Sequence, residues 1–242
     1  MNQKQLRASA GAVLILCAVA TPTHADFVTT TFSNVNPGQV VTITENGGTP
    51  SALTASGWAG LYNFVNSSGA LTGNIQGFCI DINQDIHTNQ TVTFSVSSLD
   101  KAPTPGTAMG TAKADLIREL WGRNYASIGT DNVKAAAFQI DVWEIINETS
   151  SNLDIRNGSF YVSNVSSATM NQAQTWLNQL DGTGSKADNL VALTSDTAQD
   201  FVVPSHAPAP PGLVLASLGA LTLLIPWTWR HRKQLFLCLR TS

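Results

Sequence analysis

Charge, histidine and cysteine are the scarce materials of this chain. Only 12% of its 242 residues are charged, and it holds four histidines and three cysteines. Cys17 falls in an N-terminal apolar run and Cys238 close to the C-terminus, so the intervening stretch has Cys79 alone and can make no disulfide within itself. Between residues 26 and 203 there is one histidine, His87, and one cysteine with one histidine falls short of a zinc set. Asp81, Asp85, Asp141 and Glu144 have no calcium-loop spacing. A cysteine hydrolase would depend on His87 as base and Asp85 as its orienter, and nothing in the spacing argues that geometry, so His87 reads as an exposed loop residue. Positive charge is also thin: between residues 26 and 203 there are 7 Lys and Arg against 16 Asp and Glu, a net charge of −9. Such a surface releases no counterions from phosphate, which excludes nucleic acid as a partner.

The two ends supply what the middle lacks. Lys4 and Arg7 precede the apolar run Ala10 to Ala20, and Thr23-His24-Ala25 has small residues where a signal peptidase reads, which predicts a signal peptide over 1–25. Lipid attachment at Cys17 is disfavoured by the bulky Leu16 before it. At the other end a Pro-rich linker, 204–211, leads into the apolar segment 212–229, about 18 residues long and just sufficient to cross a bilayer. Trp227 and Trp229 suit its interface, and Arg230, Arg232 and Lys233 open a basic tail, 230–242, expected on the cytoplasmic side. The remainder, 26–203, has the length of one domain.

Within that domain the periodicity changes once. Up to about Ser98 it reads as strands: Val40 to Glu45 and Thr91 to Ser97 alternate apolar and polar residues, with Asn46-Gly47-Gly48 as a break. Past Pro103 and Pro105, helical spacing predicts helices over 111–121, 131–148 with Asp131 as N-cap, and 168–180. Short strand-like runs lie at 159–165 and 200–203, and no repeat is present. The expected fold class is α+β, a β-sandwich or barrel core with a helical section, plus one C-terminal transmembrane helix.

Two residues stand out against this pattern. Alternation along Ile75 to Ile82 puts Phe78, Ile80 and Ile82 on one face and Gly77, Cys79 and Asp81 on the other, so Cys79 points away from the greasier side. In the second helix Gln139 has Ala135, Ala136, Val142 and Trp143 as its neighbours, which places an amide in the inward face, while Lys134, Asp141, Glu144 and Glu148 form the stripe expected to be wet. A buried amide left unpaired costs about 1–3 kcal/mol. A hydrogen bond to core backbone would satisfy it; so would a bond from the Cys79 sulfur to the Gln139 side-chain carbonyl with loss of ammonia, which removes the buried NH2 and occupies the only thiol together.

Phe78-Cys79-Ile80-Asp81 followed by Phe138-Gln139-Ile140-Asp141-Val142-Trp143 resembles the paired signatures of bacterial thioester domains of surface adhesins. The resemblance, which covers roughly residues 57–165, implies that Cys79 and Gln139 are the bonded pair, that Trp143 shields or frames the bond, and that Phe78, Asp81 and Phe138 belong to its surroundings. The tail resembles the PEP-CTERM sorting signal of exopolysaccharide-producing Gram-negative bacteria, with Pro204 to Pro210, the apolar segment and the basic cluster in that order; Ala209 stands where that signal has glutamate, and Gln234 to Ser242 continues past the cluster. This resemblance implies an inner-membrane precursor handled by an exosortase-type transpeptidase, then a periplasmic, cell-surface or matrix location. The function so implied is adhesion by a single-use thioester that captures an amine on a surface or matrix molecule. It needs no cofactor and no turnover. The competing expectation is a non-covalent structural or carbohydrate-contacting protein of the extracellular polymer.

Overall fold

The computed structural model describes residues 27–46 and 52–205. Seven strands form one antiparallel sheet: β1 (Phe27–Glu45), β2 (Leu53–Gly69), β3 (Gly73–Cys79), β4 (Thr91–Ser97), β5 (Phe160–Ser163), β6 (Leu190–Thr194) and β7 (Phe201–Pro204). Three α-helices accompany it: α1 (Gly110–Asn124), α2 (Asn132–Asn147) and α3 (Ser167–Leu177). The order of the sheet is β2-β3-β7-β6-β4-β1-β5, and β1 pairs with β2 as well, so six strands run round a closed ring and β5 extends β1 where β4 leaves off. Ring closure gives both sides of β1 a partner: Val28 pairs with Gly69 on one side and Phe94 on the other.

Aromatic side chains from opposite parts of the ring meet inside it. Phe64 of β2 lies 4.8 Å from Phe201 of β7 and 6.2 Å from Phe94 of β4, and Phe32 of β1 lies 5.6 Å from Tyr62. The helices cover the outside with a second aromatic layer, in which Phe78 of β3 packs 4.4 Å from Phe138 of α2 and 5.7 Å from Trp121 of α1. The end of β3, Gly77 to Cys79, is therefore buried on both faces, as a strand between a sheet interior and a helical layer must be.

Local chemistry explains the elements that were expected. Thr91 to Ser97 is β4 with Val92 and Phe94 buried, and Asp131 caps α2 by accepting from the amides of Val133 (2.8 Å) and Lys134 (3.2 Å). Ser166 caps α3 by accepting from Thr169. The stripe expected to be wet differs: Asp141 and Glu144 are fully buried and Glu148 nearly so, because α3 and the loop before β5 close over that side of α2. The expected signal peptide, linker, transmembrane segment and basic tail lie outside the described residues; among those described, no helix is long and apolar enough to cross a membrane.

Candidate functional site

Cys79 is the last residue of β3 and pairs across the sheet with Phe201, so its side chain shares the inner face of the ring with Phe201 and, through the Tyr62–Gly77 pair, with Tyr62. The alternation thus places Cys79 opposite Phe78, but the face it occupies is as apolar as the other. The sulfur is fully buried and free, and its S–H donates to the main-chain carbonyl of Asp81 at 2.9 Å. Burial pushes the thiol up to about 12, even with the Trp143 indole beside it. An unbonded thiol in this place is held in its protonated form.

Gln139 arrives from α2, sixty residues later. Its Oε1 accepts from the Cys79 amide at 2.8 Å and its Nε2 donates to the Cys79 carbonyl at 2.8 Å. Strand β2 pairs with β3 only as far as Tyr62–Gly77, so beyond that point the side-chain amide of Gln139 takes the place of a neighbouring strand. The structure meets the cost of burying this amide with backbone hydrogen bonds, and no covalent bond is required to satisfy it.

The remaining candidates gather unevenly. Phe78 and Phe138 pack against one another, rings tilted by 36°, in the helical layer and fix α2 against β3. Asp81 is buried just past the strand; its Oδ1 accepts from the amide of Asn83, its Oδ2 has no partner, and burial raises its pKa. Trp143, one helical turn after Gln139, is buried with an indole N–H that has no ordinary hydrogen-bond partner, and it lies beside the Cys79 sulfur. His87 and Asp85 sit in the exposed loop between β3 and β4.

No protein-family profile matches this chain, nor does any curated protein or solved structure.

Sequence reasoning missed Asp200. It is fully buried at the start of β7, its carbonyl accepts from the Ile80 amide at 2.9 Å, and its carboxylate accepts from Thr104 and Ser195. Burial chiefly, with Asp81 nearby, raises its pKa to about 7. It ties the chain beyond Cys79 to the loops around it. A lone aspartate before an apolar tripeptide carries no signal for this. Asp141 and Glu144 are likewise buried, with all four carboxyl oxygens unpaired; burial, and for Asp141 the neighbouring Glu144, raises both pKa values, that of Glu144 to about 8. Both carboxyls belong to the packing of α2, whose burial favours their protonated forms.

Proposed function

We propose that Cys79 and Gln139 close an internal thioester and that this exported protein uses it once, to bond covalently to an amine on a partner surface or matrix. One observation carries the reading: the only cysteine among the described residues and a buried glutamine sixty positions away are brought together with the carboxamide fixed on the main chain of the residue that bears the thiol. Closure forms a bond from sulfur to the Gln139 carbonyl carbon and breaks the carbon–nitrogen bond, and the thiol proton leaves with ammonia. The Cys79 amide that holds Oε1 is aimed at the oxygen on which negative charge develops, the placement that stabilises acyl-transfer intermediates.

In use, an amine attacks the same carbon, the carbon–sulfur bond breaks, and the electron pair leaves on sulfur. The sulfur then takes the proton shed by the new amide. Thiolate is a better leaving group than an amide nitrogen, so the exchange needs no external energy source. Burial of both residues keeps water from competing. Export, anchoring through the apolar segment 212–229 and handling by an exosortase-type transpeptidase belong to the same proposal and rest on the sequence of the ends.

One observation favours a purely structural part for the pair: both polar ends of the Gln139 amide are already satisfied, which suits a non-covalent matrix protein equally well. Intact mass separates the two. A bonded protein weighs one ammonia less than its processed sequence, and a protein of full mass, purified without conditions that hydrolyse thioesters, leaves the matrix reading standing.

A further inference from the structure

On the outer face of the strand ring, the face opposite the Cys79 side chain, three carboxamides stand in register across neighbouring strands. Asn34 of β1 pairs with Asn63 of β2, and Asn63 pairs with Gln76 of β3. Asn63 ties the row together: its Nδ2 donates to Asn34 Oδ1 at 3.0 Å and to the Asn36 carbonyl at 2.8 Å, and its Oδ1 accepts from Gln76 Nε2 at 2.7 Å. The carboxamides thus fix one another's orientation. Asn34 and Gln76 are exposed, so the row contributes nothing to the core.

A cleft of about 560 Å³ lies between this row and the segment Tyr125–Thr130 that leads into α2. Its polar lining is Asn34, Asn36, Asn63, Gln76, Tyr125 and Thr130, and no charged side chain is among the described lining residues. Asp131 and Lys134, next along the chain, are engaged elsewhere: the Asp131 carboxylate caps α2, and Lys134 Nζ donates to the Ser127 carbonyl. Tyr125 is held by stacking on Trp121, ring centroids 4.3 Å apart. The Asn36 carboxamide, Gln76 Oε1 and the hydroxyls of Tyr125 and Thr130 have no hydrogen-bond partner among the described residues. Donors and acceptors therefore lie side by side, oriented in advance and without charge.

We propose that this cleft is a binding site for a neutral glycan, held without covalent chemistry through hydroxyls on adjacent sugar carbons. A hydroxyl both donates and accepts, and two neighbouring ones match the N–H and C=O of a single carboxamide. An acidic glycan or a phosphate would meet no cation here, and an ammonium no carboxylate. A peptide bound as an added strand needs an unpaired edge, whereas the row lies on the face of strands joined to one another by their ladders. The site uses neither Cys79 nor Gln139, so it stands whether or not the thioester forms.

Saturation-transfer NMR on the purified protein tests it, with cellohexaose and mannohexaose as neutral probes that differ in hydroxyl geometry, and hexagalacturonate and a capped Gly-Ser peptide for comparison. Transfer to at least one neutral hexaose is expected, with none to the acidic hexaose or the peptide. Asn36→Ala and Gln76→Ala, which alter exposed side chains, are each expected to weaken binding roughly tenfold with thermal unfolding unchanged. Tyr125→Phe removes only a hydroxyl, is expected to weaken binding about fivefold, and decides the matter should an alanine variant lose stability. No transfer to either neutral hexaose, or wild-type affinity in all three variants, would overturn the site. Transfer to the peptide alone would overturn it in favour of a polypeptide partner, and binding of hexagalacturonate as strong as that of the neutral probes would overturn its restriction to uncharged glycans.

Discussion

The side-chain amide of Gln139 does for Cys79 what β2 does for the residues before it: it supplies one acceptor and one donor to the edge of β3. Without it the unbonded chain strands two buried backbone groups. Gln139→Ala is expected to cost about 2–4 kcal/mol of stability, whereas Cys79→Ala, which deletes one buried sulfur and leaves the amide in place, should cost about 1–2 kcal/mol. Urea unfolding of the two variants checks the order. Both should regain the full sequence mass, and a reversed order would mean that the amide does not hold the strand edge.

A free thiol at this position is hard to detect in the native protein. Being buried and shifted to about 12, Cys79 should alkylate negligibly at neutral pH whether or not it is bonded. In Gln139→Ala, iodoacetamide should label Cys79 only after unfolding. Silence of the native thiol therefore says nothing of a bond, and labelling of folded Gln139→Ala at neutral pH would show the site to be open.

The position of an amine adduct reports which atom is activated. Incubation with excess methylamine is expected to place the amine on residue 139 through an amide stable to reducing agent, to free one Cys79 thiol per adduct, and to do neither in Cys79→Ala. Peptide mapping that finds the amine elsewhere, or an adduct in Cys79→Ala, would exclude the covalent mechanism and bring the matrix protein forward.

Buried carboxyls make stability depend on pH in a definite sense. Glu144, at about 8, and Asp200, at about 7, bind protons in the folded state that the unfolded chain, with ordinary carboxyl values, releases near pH 4. Folding is thus favoured at the acid end, and stability is lost as pH rises from about 4 toward 8 and levels off above it. Thermal unfolding at intervals across that range should show Tm falling, and Glu144→Gln, neutral at every pH, should flatten the upper part of the slope. A rising Tm between pH 5 and 8 would contradict the burial of these groups.

Deleting residues 212–242 tests the ends. The apolar segment and its basic cluster are expected to hold the precursor in the membrane, so the shortened protein should appear in the periplasm or medium. Equal membrane retention of the two forms would remove the anchor.

Legibility in the sequence followed the strength of local chemistry. β4 and α2 were readable to within a residue or two because alternation and the Asp131 cap are local signals. Strand β1 was singled out only over Val40 to Glu45, since its first half carries irregularities in the pairing with β2, the last between Val35 and Gly38, that break strict alternation. Strand β6 escaped notice because Leu190-Val191-Ala192-Leu193 has no alternation: its neighbours β4 and β7 and the core bury it almost throughout. The inward face of α2 was legible at Gln139, yet Asp141 and Glu144 were read as solvated because charge argues for water and only the packing of α3 and the loop before β5 reverses it. That Gln139 and Cys79 meet could be suspected from the two motif contexts. That they meet through the Cys79 backbone could not, because it depends on where β2 parts from β3.

The closed ring also bears on what happens under tension. A partner bonded at Gln139 and a cell envelope holding the chain beyond Ser205 would pull on the polypeptide only between those two points, through β5, α3, β6 and β7. Strands β1 to β4 lie outside the stretched path and act as an anvil, with β7 and β6 gripped between β3 and β4 by antiparallel ladders. Force must shear or peel those short ladders before any slack is released, so resistance to detachment would be set by the nine pairs that hold β7 to its neighbours and β6 to β4 rather than by the stability of the whole domain; the weakest is the two-residue contact of Phe78 and Cys79 with Val202 and Phe201.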